Sequence, residues 1–204
     1  MKILLVHGMA RTPLSMWRLG RAIRRPGIET TYFGYLVAVQ TFGEIVSRLQ
    51  VRLEEMADAD YIVIGHSLGG VLLRAAVATL PPDIRRPRRI IMLATPNHSP
   101  RLARRFQRHW WYRTLNGDPG QWLADESRFR AIPPLDVPCT IVAGTRGIGG
   151  RWSPFGQDAN DGLVAVKETA LDGANEMIEV PATHAFVMNN TRVREIVQRS
   201  VSRP

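Results

Sequence analysis

Length, composition and charge exclude several classes of protein. The chain has 204 residues, of which 45% are hydrophobic and 22% charged, and we predict one globular domain over residues 1–204. No apolar run approaches the ~20 residues of a membrane-spanning helix. The only cysteine, Cys139, excludes an internal disulfide and a cysteine-based metal cluster.

The net charge of +9 at pH 7 comes almost entirely from arginine. The arginines form three short groups, at residues 21–25, 85–89 and 101–108, and none alternates with aromatic residues as in a nucleic-acid platform. We therefore expect no nucleic-acid partner and interpret most arginines as exposed to solvent. The third group precedes two tryptophans. As an alternative to simple exposure to solvent, we expect this group to associate weakly with an anionic membrane surface.

The first residues, MKILLVHG, contain too short an apolar run for a secretory signal and lack a small-residue cleavage pattern. We therefore expect a cytoplasmic protein whose first strand begins near its first residue. Up to residue 80, the hydrophobic pattern predicts strands at residues 2–8 and 61–66 and a weaker strand at 30–35. Helices are predicted between and after these strands, at residues 12–25, 41–59 and 67–80.

The second part of the chain continues this alternation after one interruption. It predicts strands at residues 89–96 and 139–145, a weaker strand at 176–181 and a final helix at 189–201. Residues 97–134 are too many for a simple loop, and we interpret them as an insertion with some helix, best predicted at 118–132. Because the strands are apolar on both faces, the pattern favours a doubly wound, mostly parallel α/β sheet with the insertion as a short cap.

A serine flanked by glycines lies between a predicted strand and a predicted helix. Residues 65–69 read GHSLG, which matches the G-x-S-x-G nucleophile elbow. Such a turn needs neighbours without bulky side chains, and it projects the serine hydroxyl from the edge of the sheet where ligands bind. The following helix directs its N-terminus at the same place, which favours a developing negative charge. The pattern predicts Ser67 as a nucleophile.

A nucleophilic serine needs a base and an acid that orients the base. Of the five histidines, His184 lies in a loop between the last strand and the last helix, where the order serine, acid, histidine requires the base. The segment before it offers Asp158 and Asp161 as the acid. Asp161 is preferred because the following Gly162 permits a tight turn that holds the carboxylate, and Asp158 is the alternative.

The oxyanion of an acyl-transfer intermediate needs backbone N–H donors. The N–H of Leu68 follows the nucleophile directly, and the loop after the first strand offers the N–H of Met9. Gly8, which lacks a side chain, permits that loop to approach closely. This chemistry requires neither a metal nor a cofactor.

These motifs resemble those of the α/β-hydrolase superfamily, and in particular its compact bacterial lipases and esterases. The resemblance is carried by HG at residues 7–8, GHSLGG at 65–70, TPNHSP at 95–100, NDGLV at 160–164 and THAF at 183–186. It implies the α/β-hydrolase fold, with Asp161 as the triad acid and His184 as the base. The insertion differs from the apolar lid of larger lipases because it is short and rich in arginine.

The sequence therefore predicts a serine hydrolase that cleaves a small-molecule ester or lipid through an acyl-enzyme. A thioesterase or acyltransferase with the same triad, or a non-catalytic binding protein of the same fold, is the alternative. We expect Trp110 and Trp111 of the insertion to line the acyl pocket. The competing interpretation is that the tryptophans form the insertion's own core.

Overall fold

The computed structural model describes residues 1–202, which contain one six-stranded sheet with every neighbouring pair of strands parallel. In chain order the strands are β1 (Lys2–Val6), β2 (Glu29–Phe33), β3 (Tyr61–His66), β4 (Arg89–Leu93), β5 (Cys139–Gly144) and β6 (Glu176–Val180). Their spatial order is β2-β1-β3-β4-β5-β6. The two strands that the sequence predicted more weakly are therefore the edge strands, whose residues are largely not buried and so lack a continuous apolar run.

Helices connect the strands and cover both faces of the sheet, which confirms the predicted doubly wound α/β architecture. The helices are α1 (Trp17–Ile23), α2 (Phe42–Glu54), α3 (Leu68–Ala78), α4 (Arg101–Phe106), α5 (Trp110–Leu123), α6 (Glu126–Ala131), α7 (Val166–Thr169) and α8 (Thr191–Ser202). Two 3₁₀ segments, Pro13–Met16 and His184–Asn189, precede α1 and α8. None of the helices in the described part of the chain is long and apolar enough to cross a bilayer.

Two apolar layers hold the helices to the sheet. Helices α2 and α3 share one layer with one face of the sheet, through side chains such as Leu49 and Val71. Helices α1 and α8 form the other layer, through side chains such as Leu19 and Val197. Full burial of one such side chain stabilises the fold by ~1.5–3 kcal/mol. The packing on both faces of the sheet therefore stabilises the positions of the strands and of the loops at their ends.

The insertion after β4 is more helical than the sequence predicts. It contains α4, α5 and α6, and the helix predicted at residues 118–132 is divided where Asp125 accepts a hydrogen bond from the Ser127 N–H and so begins α6. Helix α5 is itself interrupted at Gly117, whose φ is 52°. Gly117 and Pro119 mask the helical pattern of this segment because both residues disfavour a helix interior.

The insertion is attached to the rest of the domain through the start of α2. The Asp118 carboxylate accepts a hydrogen bond of 2.7 Å from the Phe42 N–H, the first N–H of that helix. The Trp122 ring stacks on the Phe42 ring with 3.8 Å between centroids. An acidic group at a helix N-terminus satisfies an unpaired N–H and interacts favourably with the helix dipole. The insertion is thus fixed over the carboxyl end of the sheet.

Glycines at the start of α3 allow this helix to lie directly against the central strands. A Cβ on Gly65 would lie 2.5 Å from the backbone of Gly70, and a Cβ on Gly69 would lie 2.3 Å from the His7 carbonyl oxygen. Real Cβ atoms do not come this close to backbone atoms. The positions of β1, β3 and α3 around Ser67 therefore depend on the missing side chains.

We expect Gly69→Ala to destabilise the protein although alanine normally stabilises a helix by ~1 kcal/mol relative to glycine. The added methyl group overlaps backbone atoms of β1 and of the loop after it, and such overpacking costs ~1–3 kcal/mol. The matched control is Gly43→Ala in α2, where a Cβ would meet no atom within 4 Å. Urea denaturation should show a lower free energy of unfolding for Gly69→Ala only. Equal stability of the two variants would contradict the close packing.

Candidate active site

Ser67 occupies the sharp turn that joins β3 to α3. Its backbone has φ 51° and ψ −125°, a region that non-glycine residues rarely adopt and that costs ~1–3 kcal/mol. The Ser67 N–H donates a hydrogen bond of 2.9 Å to the Leu93 carbonyl at the end of β4. The turn therefore places the Ser67 hydroxyl at the carboxyl edge of the sheet, between two central strands.

The structure brings three of the predicted site residues together. The Ser67 Oγ lies 2.9 Å from His184 Nε2, and His184 Nδ1 lies 2.7 Å from an Asp161 carboxylate oxygen. Because a carboxylate only accepts hydrogen bonds, the hydrogen-bond pattern assigns the proton of the neutral imidazole to Nδ1. His184 Nε2 is then free to accept the Ser67 proton.

Asp161 is buried and held by the backbone around it. One carboxylate oxygen accepts hydrogen bonds from the N–H groups of Leu163, at 2.9 Å, and Val164, at 2.8 Å. Gly162 adopts a φ of 101°, which the tight turn requires and which glycine adopts readily. The Asp161 carbonyl accepts a hydrogen bond of 2.9 Å from the His184 N–H. The loops that carry the acid and the base are therefore fixed to each other.

Asp158, the alternative acid, lies in a different environment. Its carboxylate contacts the Lys167 ammonium at 2.7 Å and also pairs with the Arg101 guanidinium. The hydrogen bonds from Lys167 and Arg101 lower the pKa of Asp158 below its ordinary value. Asp161 and not Asp158 is thus the carboxylate next to His184.

The two predicted oxyanion donors belong to Leu68, which follows Ser67, and to Met9, which lines the same cavity as Ser67. Neither the Met9 N–H nor the Leu68 N–H donates a hydrogen bond to another residue in the described range 1–202. A Cβ on Gly8 would lie 3.1 Å from the Ser67 Cβ and 2.7 Å from a ring nitrogen of His66, so the loop after β1 passes close to the serine only because Gly8 has no side chain. Both N–H groups are available to a bound oxyanion.

His7 fixes that loop. The His7 Nδ1 donates a hydrogen bond of 2.8 Å to the Gly8 carbonyl, and Nε2 accepts one of 3.3 Å from the Tyr35 N–H. The Tyr35 ring stacks on the imidazole at 4.3 Å, and the Tyr35 hydroxyl donates to the His7 carbonyl at 2.8 Å. Burial lowers the pKa of His7, which favours the neutral ring that this pattern needs. Sequence reasoning missed Tyr35 as a site residue, since its only signal is its place as an aromatic residue at the end of a weakly predicted strand.

His66 forms a hydrogen bond with the backbone of His184. Its Nε2 donates a hydrogen bond of 2.9 Å to the His184 carbonyl, and its Nδ1 has no hydrogen-bond partner among the described residues. Burial, and after it the nearby His184, hold the pKa of His66 well below its ordinary value. The ring is therefore a neutral donor that positions the backbone of His184.

Solved structures with a similar fold are lipases, esterases and a thioesterase. The mature lipase BlEst2 of Bacillus licheniformis matches with a TM-score of 0.76 and 18% identity, over 98% of this chain and 91% of that chain. The metagenomic carboxyl esterase MGS0156 matches with a TM-score of 0.74 and 17% identity, over 98% and 74%. The RedJ thioesterase of Streptomyces coelicolor matches with a TM-score of 0.64 and 16% identity, over 98% and 84%. The chain has the α/β-hydrolase fold.

No protein-family model and no curated protein matches the sequence. The likeness to known α/β-hydrolase structures is therefore one of backbone architecture, at identities of 16–18% for these three proteins. The chemistry of this α/β hydrolase-fold chain has to be argued from its own side chains.

A cavity of about 650 Å³ opens beside Ser67 under the insertion. Its lining is mostly apolar and comes from the loop after β1, from α4 and α5 and from the loops after β5 and β6, including Met9, Leu102, Phe106, Trp111, Tyr112, Leu123, Leu163 and Val164. Sequence reasoning did not assign Phe106 and Leu123 to the site, because nothing local in the sequence shows which face of each helix turns toward the cavity. The cavity is large enough for the acyl chain of a small ester.

The three tryptophans of the insertion have different environments. Trp111 lines the cavity and is 37% exposed, whereas Trp110 is 78% exposed and is not part of the lining. Trp122 packs against Phe42 and Phe129, away from the cavity. Of the two tryptophans expected in the acyl pocket, the structure places Trp111 at the cavity and Trp110 outside its lining, and Trp122 belongs to the packing core of the insertion.

Proposed function

We propose that this protein is a serine hydrolase that cleaves carboxylic esters. The observation that carries the proposal is the continuous hydrogen-bonded chain from Ser67 Oγ to His184 Nε2, at 2.9 Å, and from His184 Nδ1 to Asp161, at 2.7 Å. A nucleophile, a base within hydrogen-bond reach and a buried orienting acid form the arrangement that acyl transfer requires. The adjacent apolar cavity supports a substrate with an acyl chain.

In the first half of the reaction, the Ser67 oxygen attacks the ester carbonyl carbon while His184 Nε2 takes the hydroxyl proton. The carbonyl oxygen becomes an oxyanion, which the N–H groups of Met9 and Leu68 stabilise together with the N-terminus of α3. The tetrahedral intermediate then collapses, and the alcohol leaves with the proton from His184. The acyl group remains on Ser67.

In the second half, a water molecule gives a proton to His184 and attacks the acyl carbon. Collapse of the second intermediate releases the carboxylic acid and returns the proton to Ser67. Asp161 stabilises the imidazolium that forms in each half and holds its tautomer, without taking the proton itself. The buried, doubly hydrogen-bonded carboxylate of Asp161 suits this role because its orientation is fixed before the substrate arrives.

A thioesterase is the second candidate, because the same residues would cleave a thioester and because the RedJ thioesterase shares the fold with a TM-score of 0.64. The two candidates differ only in the leaving group. Comparing kcat/KM for an oxoester and a thioester with the same acyl chain distinguishes them. A higher value for the thioester would favour the second candidate.

Ser67→Ala should abolish ester hydrolysis, with a loss of several orders of magnitude in kcat, since the members of such a triad act as one unit. The variant should also lose covalent labelling by a fluorophosphonate, measured as a mass increase of the intact protein. Ser47→Ala on the exposed side of α2 serves as the control and should keep both. Hydrolysis by Ser67→Ala within tenfold of the parent protein would contradict the assignment of the nucleophile.

Asp161→Asn should reduce kcat by about 10³–10⁴, because an amide that donates to His184 Nδ1 favours the wrong imidazole tautomer. Asp158→Asn is the matched control, because it changes the same functional group in the same loop at a carboxylate that pairs with Lys167 and Arg101. Steady-state kinetics on one soluble ester compares the two. The acid assignment fails if Asp158→Asn is the more impaired variant.

Trp111→Ala should raise KM for long acyl chains more than for acetate, because each buried CH₂ group contributes ~0.8 kcal/mol. Trp110→Ala removes the same side chain from an exposed neighbouring position and should leave the dependence on chain length unchanged. A series of p-nitrophenyl esters of increasing acyl length measures both. Equal effects of the two substitutions would remove Trp111 from the acyl pocket.

A further inference from the structure

Arg11 is the only arginine, lysine, aspartate or glutamate among the described residues that line the cavity. It follows Met9 by two positions, in the loop that passes close to Ser67. The rest of the lining is apolar apart from neutral polar groups such as Asn116 and Tyr112. Arg11 is therefore the one permanently charged side chain on the described lining of the cavity.

Arg11 has no partner in the described part of the protein. It is partly buried, and its guanidinium makes no hydrogen bond or salt bridge to any residue in the range 1–202. Arg101, in contrast, contacts both Asp158 and Glu168. Removing an unpaired charge from water costs free energy, so an anionic ligand at this position gains an interaction that the protein itself leaves open.

The backbone before Arg11 is strained. Ala10 has a φ of 52°, and it is one of three non-glycine residues with positive φ in residues 1–202, together with Ser67 and Ala94. Non-glycine residues in this conformation carry a cost and concentrate at functional sites. The strained residue and Arg11 are adjacent in the chain, and both line the cavity.

The charge of Arg11 reaches the centre of the site. The pKa of His66, which burial lowers most, is lowered further by neighbouring positive charges that include Arg11. No carboxylate lines the cavity in the described residues, so this charge is not neutralised from the cavity side. An anionic group next to the ester would be attracted and a cationic group repelled.

We propose that Arg11 forms an anion subsite, so that the preferred ester carries a carboxylate or phosphate group beside the scissile bond. A guanidinium binds either group through two parallel hydrogen bonds. The inference rests on the proposed ester hydrolysis and names the class of ester. The apolar cavity receives the chain of the substrate, and Arg11 receives its charged end.

The anionic group of the substrate can lie on the acyl side or on the alcohol side of the ester, and two pairs of soluble substrates distinguish these positions. p-Nitrophenyl butyrate and the mono-p-nitrophenyl ester of glutaric acid differ by a carboxylate on the acyl side. Hexanoyl glycerol and hexanoyl glycerol phosphate differ by a phosphate on the alcohol side. In the pair that reflects the natural ester, the parent protein should have a higher kcat/KM for the anionic member.

Arg11→Gln should reduce the ratio of kcat/KM for the anionic to the neutral member of that pair by about 10- to 100-fold, the effect of losing a hydrogen bond to a charged group. Arg11→Lys should retain part of the ratio because it keeps the charge and loses the bidentate geometry. Arg108→Gln, an equal charge change at an exposed position of the insertion outside the cavity lining, should leave the ratio unchanged.

An unchanged ratio for Arg11→Gln in both pairs would overturn the anion subsite and leave the proposed ester hydrolysis intact. If neither pair is hydrolysed, the proposed function fails, and calorimetric binding to Ser67→Ala decides the subsite. Hexanoyl glycerol phosphate should then bind at least tenfold more weakly when Arg11→Gln is added to Ser67→Ala. Equal binding to both proteins would overturn the inference.

Discussion

The left-handed backbone of Ser67 is the constraint on which the rest of the site depends. With a φ of 51°, the chain passes directly from β3 into α3, so that Leu68 is the first residue of the helix and its N–H has no acceptor within the helix. The strain of ~1–3 kcal/mol is opposed by β3 and α3, whose residues are almost all buried on both sides of the turn. Gly65 and Gly69 make the reversal sterically feasible, since a Cβ at either would overlap backbone atoms. The hydroxyl position therefore follows from core packing, and the catalytic geometry proposed above is a consequence of it.

Buried polar groups extend this constraint to the other loops. Two of the three buried histidines donate to a backbone carbonyl, His66 to that of His184 and His7 to that of Gly8. Burial lowers the pKa of both rings, so they act as neutral connectors and do not compete with His184 for protons. Asp161 is held in the same way by backbone N–H groups. The ends of β1, β3, β5 and β6 are thus linked through hydrogen bonds, although His66 Nδ1 has no hydrogen-bond partner among the described residues.

The sequence predicts best what is determined locally. The central strands and the serine turn were predicted because their apolar runs and glycines are contiguous, and the weaker strands were the exposed edges of the sheet. The insertion was predicted poorly because its helices depend on tertiary contacts. An example is the close approach of Gly117 to Val37, where a Cβ on Gly117 would lie 2.3 Å from the Val37 carbonyl oxygen. The sequence gives no reason to distinguish Trp110 from its neighbour Trp111. Only the orientation of α5 places Trp111, and not Trp110, at the cavity. Tyr35 and Arg11 were missed for the same reason. Each lies near the site only in the folded protein, and no motif in the neighbouring sequence indicates this.

Charge pairing gives the arginines of this basic chain different roles. Arg101, the first residue of α4, contacts Asp158 and Glu168, and Glu168 also accepts hydrogen bonds from the N–H groups of Arg101 and Ala165. These contacts fasten the start of the insertion to both ends of the loop that contains Asp161. These partly exposed salt bridges therefore couple the position of α4 to the loop that carries Asp161. An arginine with carboxylate partners on two sides serves the structure, and an arginine on the cavity wall with no such partner remains available to a ligand.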